Sequence, residues 1–395
     1  MVAFIMSEKQ NYNRRTTIRG TERFLPLLLK ESECFASEGS VDTLAQYVIG
    51  TLSSIKTSTG KTIGINLWES IGTSGKLASA LTREGITDFF SRGLITTNRT
   101  SVTKLFDEMN LIYDTFKPNT KETALASAVL INNKRQEEIS LVTTGNILGK
   151  GSDVHIAIMI RGEDPNVLTV TNEYFENAMR YYEIDLKNTT LNSAKKQFVT
   201  HQAFLFLLHK LRGIKEQIPF KLRENSETFS KYDARLMREL ISKLEELNLV
   251  LGLSESALGG LLTDKLTDYT GGDQRLCRGD VLYNEVAKKE AGVQPFAFNE
   301  FNVYSDAAAT ELARVANKDD VDVAIGITGL LNTPDTRTDE HEVGDFYYSI
   351  QVRDKKEHKK SKPYRLKVRT RLEMKEMSAL IVYRHLLHIL TSDKK

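Results

Sequence analysis

The sequence predicts an α/β protein built as two tandem domains, each with a mixed, largely parallel sheet covered by helices. Three observations carry this. Strand-like apolar runs alternate with helical segments, the same motifs recur in the same order in both halves, and a polar, charged stretch separates them. At 395 residues the chain is long enough for two cores of ordinary size.

Residues 1–40 are read as a flexible N-terminal arm, because Asn11–Gly20 is polar and basic without periodicity. Val41–Ser54 is the first helix, with Leu44, Val48 and Leu52 on one face. GINL (64–67) reads as a strand that runs into Trp68-Glu69-Ser70, a glycine-containing turn at Gly72 and Gly75, and the helical KLASALT. SRGLITTN (91–98) follows. SDVHIAIMI (152–160) is a continuous apolar run, the pattern of a strand buried on both faces, and AFLFLLHKL (203–211) closes the half as a helix. Residues 213–231 carry a proline and dense charge with no apolar face, as a linker does.

The second half repeats this order. Tyr232–Leu249 opens it as a helix with Leu236, Leu240, Leu244 and Leu247 in one stripe. LVLGL (249–253) runs into Ser254-Glu255-Ser256, then Gly259-Gly260 and the helical LLTDKLT. CRGDVLYN (277–284) matches SRGLITTN, at the same offset of 186 that separates Ser70 from Ser256. VDVAIGITG (321–329) is paired with 152–160, and IVYRHLLHIL (381–390) with 203–211. The two domains are therefore placed at 41–212 and 232–391.

Composition narrows the function classes. Lys and Arg number 54 against 52 Asp and Glu, so the net charge of +2 gives no general field for nucleic acid or anionic membrane. Only Cys34 and Cys277 are present, which excludes a disulfide framework and a cysteine-rich metal site. Among seven scattered histidines, His385 and His388 lack a third ligand, so neither a metal nor a cofactor is expected. No apolar run approaches the ~20 residues needed to cross a bilayer, and Met1–Met6 lacks the features of a signal peptide. The cytosol or nucleus is the expected location, with no membrane partner. The local exception is Arg353–Arg371, where ten basic residues face Asp354 and Glu357 for a net +8. Its centre reads as a hairpin tip between YYSIQV and YRLKVRT, which offers Lys355, Lys356, Lys359, Lys360 and Lys362 to nucleic acid or an acidic partner.

The run Ser254-Glu255-Ser256-Ala257-Leu258-Gly259-Gly260 resembles the AES-x-T-G-G signature of the CinA C-terminal family, the bacterial nicotinamide mononucleotide deamidases. Tyr283 and Lys288 within VLYNEVAK, then Ile327-Thr328-Gly329, Val343-Gly344, and finally Arg371 and Lys375 follow in family order across about residues 232–391. A weaker copy covers roughly 41–212. The resemblance implies three-layer α/β domains that usually dimerise, so two fused copies imply an internal pseudo-dimer. It also implies hydrolysis of a nicotinamide carboxamide to a carboxylate and ammonia. Ser256 would attack, Lys288 would act as general base, and Gly259, Gly260, Arg371 and Lys375 would bind the ligand.

These residue types suit that chemistry. A serine hydroxyl is a weak nucleophile until a neighbouring base accepts its proton, and a lysine serves once desolvation lowers its pKa. Ser256 sits between a strand and a helix, where backbone N–H groups are available to hold an oxyanion or a phosphate. Tyr283 is placed to orient the lysine, and Thr328 to face the same crevice from a strand's C-terminal end.

The chain departs from the family at Leu258, where a threonine is usual, and at Lys375 in place of an arginine. At Leu330–Thr336 a glycine-rich loop is replaced, with Asp335, Asp339 and Glu340 nearby. In the first copy Ser70 is kept, but Thr97, Val102 and Met159 are matched to Tyr283, Lys288 and Thr328, so only the second copy is expected to react. Lys104 lies two residues past Val102, about 200° further round a helix. Three readings follow. The chain is an amidohydrolase acting on a nicotinamide mononucleotide-like molecule, a degenerate pseudoenzyme that serves as a scaffold for other proteins, or a nucleic-acid-associated factor using the basic hairpin. Each is compatible with a homodimer of pseudo-dimers.

Overall fold

The stripe of Leu44, Val48 and Leu52 forms the buried face of α1 (Ser40–Thr59), which runs five residues past the expected helix end. The computed structural model describes residues 40–70, 72–82, 89–97, 102–103, 119–134, 137–146, 153–181, 190–212, 227–299, 302–318, 320–331, 342–353, 358–359, 363–366 and 370–392. The arm 1–39, linker residues 213–226, Lys104, the segment 332–341 with Asp335, Asp339 and Glu340, and Lys355, Lys356, Lys360 and Lys362 lie outside the described residues.

After α1 come β1 (Ile65–Glu69), α2 (Lys76–Leu81), β2 (Phe90–Thr96), α3 (Lys121–Lys134), β3 (Ile139–Gly145), β4 (Val154–Ile160), β5 (Asn166–Val170), α4 (Asn172–Tyr181) and α5 (Leu191–Arg212). The second half follows with α6 (Glu227–Glu246), β6 (Leu251–Glu255), α7 (Leu261–Thr267), β7 (Leu276–Leu282), α8 (Glu285–Glu290), α9 (Phe296–Asn299) and α10 (Asp306–Ala316). It ends with β8 (Val323–Leu330), β9 (Asp345–Val352), β10 (His358–Lys359), β11 (Tyr364–Arg365) and α11 (Arg371–Ser392).

Among the described residues all eleven strands belong to one sheet, in the order β10-β9-β8-β6-β7-β2-β1-β3-β4-β5, with β11 also pairing β9. The halves join at β2 and β7, which run antiparallel with Arg92 opposite Leu282 and Thr96 opposite Arg278. Outward from this seam the order is the same on both sides. Each half has a parallel centre, β2-β1-β3 or β7-β6-β8, whose strands are linked by helical crossovers. The next strand outward, β4 or β9, is antiparallel.

This register corrects the sequence pairing of 152–160 with 321–329. Trp68 pairs with Val142 and Ser254 with Gly326, so the counterpart of Val323–Leu330 is Ile139–Gly145. Residues 154–160 form the antiparallel strand and correspond to β9. Both runs are apolar strands led by an aspartate, and composition does not encode strand direction. Thr328 therefore corresponds to Thr144, not Met159. The turn needs the same correction: the left-handed pair Ser74 (φ 43°) and Gly75 (φ 94°) matches Gly259 (φ 59°) and Gly260 (φ 100°), which leaves one extra residue in the first half.

Helices cover both faces of each half. On one face α1, α2 and α5 pack on Ile65, Leu67, Ile139 and Leu141, while α6, α7 and α11 pack on Leu251, Leu253, Ile325 and Ile327. On the other, α3 packs on Trp68 and Val142, and α10 on Leu282. The basic segment differs from a hairpin tip centred on 355–362. Lys359 is already in strand register, paired with Ser349, and Tyr364 pairs with Phe346 on the same strand.

The seam is close-packed. A Cβ added at Gly75 would lie 2.5 Å from the Gly260 carbonyl oxygen, and one at Gly260 would lie 2.8 Å from that of Gly75. Across it the last helix of each half reaches the short helix of the other. Lys196 Nζ donates to Thr267 Oγ1 and Lys375 Nζ to Thr82 Oγ1, both at 3.1 Å.

Candidate active site

Ser256 follows the last residue of β6, and its N–H donates to the Ile327 carbonyl at 3.0 Å, as the Ser70 N–H does to Thr143 at 3.1 Å. Among the described residues Ser256 Oγ has no hydrogen-bond partner. Two residues upstream, Ser254 Oγ is also buried and unpartnered.

The turn carrying Ser256 is held by Glu255, a residue the sequence reading passed over. Its fully buried carboxylate accepts from the N–H groups of Gly260, Leu262 and Thr263, each at 3.0 Å, and from Thr263 Oγ1 at 2.9 Å. Glu69 repeats this with Gly75 and Leu77 at 2.9 and 3.1 Å and Ala78 at 2.9 Å. The legible signal was an acidic residue at the same place in both halves, at the end of an apolar strand and just before a helix start, where N–H groups lack partners.

Burial pushes the Glu69 carboxyl up to about 7, against the pull of its three N–H donors and Thr73. A folded-state pKa above the ordinary value means that the folded protein binds the proton more tightly between pH ~4.5 and ~7. Stability should therefore rise by ~2 kcal/mol as pH falls from 7 to 5, and Glu69→Gln should flatten that slope in urea titrations. Glu255 shifts in the same direction, so part of the slope should persist.

Lys288 lies in α8, which Asn284 caps by accepting the Ala287 N–H at 2.8 Å. The lysine is 4% exposed, and its Nζ donates to the Tyr283 carbonyl at 3.2 Å. Burial pulls its pKa down to about 8, with Glu285 opposing. A tenth or so of the amine is then neutral at pH 7, as a general base requires. Ser256 and Lys288 are not hydrogen-bonded to each other.

Tyr283 addresses the lysine through its carbonyl. Its hydroxyl instead accepts from Arg371 Nη2 at 2.9 Å, and its ring packs against Phe90 of the first half at 5.9 Å between centroids. Thr328 donates to the Val303 carbonyl at 2.7 Å. Leu258 is turned into the core of the second half. Gly259 and Gly260 face the first half: a Cβ on Gly259 would lie 1.9 Å from Thr82 Oγ1. Arg371 Nε and Lys375 Nζ donate to Thr82 as well, at 3.2 Å to its carbonyl and 3.1 Å to its hydroxyl. The neighbourhood is thus built from both halves, and the space beside the glycine pair is filled by protein.

The matching region of the first half is different. Val102 joins the apolar cluster around Trp68, and Thr97 Oγ1 donates to the carbonyls of Asp273 and Leu276. Thr73 stands where Leu258 does, hydrogen-bonded to Thr143 at 2.8 Å. Of the two topologically matching positions, Val102 and Lys288, only the second-half one carries a lysine.

Comparison with known proteins places the second half. A family model described as the CinA C-terminal domain matches residues 233–390. A CinA-like protein of Shewanella baltica is 32% identical over 152 residues, covering 38% of this chain and 35% of that protein. The chain spans about one third of the length of the curated relatives it matches. Crystal structures of the competence/damage inducible protein CihA from Agrobacterium tumefaciens and of a competence or damage-inducible protein from Enterobacter asburiae are each 24% identical. Each alignment covers 40% of this chain, with 94% and 98% of the other chains and TM-scores of 0.37 and 0.38. Among the described residues, no helix is long and apolar enough to cross a membrane. The stretch from residue 233 to 390 is thus similar to the CinA C-terminal domain family.

Proposed function

We propose that the second half is an amidohydrolase resembling nicotinamide mononucleotide deamidase, paired with a diverged and inactive copy of itself as an internal pseudo-dimer. The observation that carries this reading is Lys288, a buried amine whose only hydrogen-bond acceptor among the described residues is a neutral carbonyl, on a helix that packs against β7, the neighbour of the strand preceding Ser256. Desolvation without a carboxylate partner is what turns a lysine into a base near neutral pH.

In this reading Ser256 Oγ attacks the carboxamide carbon as Lys288 takes its proton, directly or through one water. The tetrahedral intermediate collapses, Lys288 returns the proton to the departing nitrogen, and ammonia leaves. Water then hydrolyses the serine ester with Lys288 again as base, giving the carboxylate and free Ser256. Arg371 spends Nε on Thr82 and Nη2 on Tyr283, which leaves Nη1 for an anionic group of the ligand. The repeated strand order and the reciprocal lysine–threonine contacts support the pseudo-dimer.

The test is ammonia release from nicotinamide mononucleotide. The rate should rise with pH and level off above about 8, as Lys288 loses its proton. Ser256→Ala and Lys288→Ala should both fall to background. Equal rates in all three proteins would overturn the reading. They would favour a pseudoenzyme scaffold, which the filled space beside Gly259 and the missing Ser256–Lys288 hydrogen bond support; a stoichiometric protein partner should then co-purify.

A further inference from the structure

We infer that Thr82 of the first half is a positioning residue for the second half's site, and that the diverged copy is retained because it supplies this anchor. Thr82 ends α2, where its hydroxyl donates to the Ala78 carbonyl at 2.8 Å and lies against Gly259. One residue thus meets both basic side chains of α11. Its carbonyl accepts from Arg371 Nε, and its hydroxyl oxygen accepts from Lys375 Nζ. Arg371 and Lys375 are four apart, on the same face of the helix, so fixing one fixes the other. Arg371 passes the constraint on: its Nη2 holds the Tyr283 hydroxyl, and the Tyr283 carbonyl holds Lys288. Thr82 therefore fixes Arg371, the guanidinium assigned to the ligand's anionic group, and through it the Tyr283 side chain.

The mirrored contact does not work this way. Lys196 also reaches a threonine across the seam, but Asp264 and Asp268 take its ammonium at 2.7 and 2.6 Å. That side is an ion-paired lock. On the Thr82 side the contacts are with a hydroxyl and a carbonyl.

The inference rests on the amidohydrolase reading for its kinetic consequence but not for its structural one, so two readouts separate them. The first is hydrogen exchange of the Arg371 Nε–H, followed by NMR and assigned with Arg371→Lys. Thr82→Val keeps the shape and loses the hydroxyl, so the Lys375 anchor fails and Arg371 protection should drop about tenfold. Thr82→Ser keeps the hydroxyl and should restore it. Lys375→Met breaks the same contact from the other side and should reproduce the loss if Thr82→Val does not fold. Unchanged protection in folded Thr82→Val or Lys375→Met overturns the inference, as does loss in Thr82→Ser with retention in Thr82→Val, the pattern of methyl packing alone. The second readout is kinetic: in a protein that turns over nicotinamide mononucleotide, Thr82→Val should raise KM about tenfold with kcat within about threefold. No turnover by the unaltered chain defeats the amidohydrolase reading, and the exchange result then decides on Thr82 alone.

Discussion

Replacing Asp264 with alanine should lower the unfolding free energy by about 3 to 5 kcal/mol, read from the urea midpoint at neutral pH. Asp264 is 1% exposed and takes Lys76 Nζ at 2.5 Å and Lys196 Nζ at 2.7 Å, both from the first half. Burial alone would raise its pKa, but the two ammonium groups outweigh it and hold the carboxyl below the ordinary aspartate value. Removing the carboxylate strands Lys76 at the seam and takes one of its two carboxylates from Lys196. Asp268 still pairs with Lys196, but Lys76 loses its only salt bridge among the described residues. The loss should be cooperative across both halves, because the cluster ties α2 and α5 to α7. The control is Asp264→Ala combined with Lys76→Met: Lys196 keeps Asp268, no charge is stranded, and most of the stability should return. A double variant as unstable as the single one would show that the pairing is not the cause. The pH dependence follows from the depressed pKa. This contribution is complete above pH ~4 and is lost as pH falls through the lower folded-state value.

What was legible in the sequence was local. The stripes of α1 and α6, the apolar strands β1, β6 and β8, and the shared order of motifs came from periodicity and spacing. Strand direction was not legible, since 139–145 and 154–160 are both apolar and only the hydrogen-bond register separates the parallel one from the antiparallel one. The candidate site was half legible for the same reason. Ser256, Tyr283 and Lys288 lie within one stretch of motif, whereas Thr82 meets Arg371 across 289 positions and Lys196 meets Asp264 across 68. No periodic pattern links such residues. Glu69 and Glu255 were in plain view but looked like helix-flanking acids. Their weight comes from complete burial, which sequence does not display.

The second large effect concerns that pair. Glu255→Ala should cost about 4 kcal/mol or more, whereas Ser256→Ala, one residue away, should change stability by less than about 1 kcal/mol. The difference is in what each leaves behind. Without the Glu255 carboxylate, three N–H groups and the Thr263 hydroxyl lose their acceptor inside a site closed to water, at roughly 1 to 3 kcal/mol for each group left unsatisfied. Glu255→Gln keeps the volume but turns an amide N–H₂ toward N–H donors, so it should lie between the two. Removing the Ser256 hydroxyl strands nothing, because Oγ has no partner among the described residues. Paired measurements of urea midpoint and ammonia release then separate the roles. Ser256→Ala should be stable and inactive. Glu255→Ala should lose both together, because among the described residues no other carboxylate accepts from the turn that presents Ser256. A stable Glu255→Ala protein would mean that Gly260, Leu262 and Thr263 find other acceptors, and the glutamate would then be dispensable to the turn.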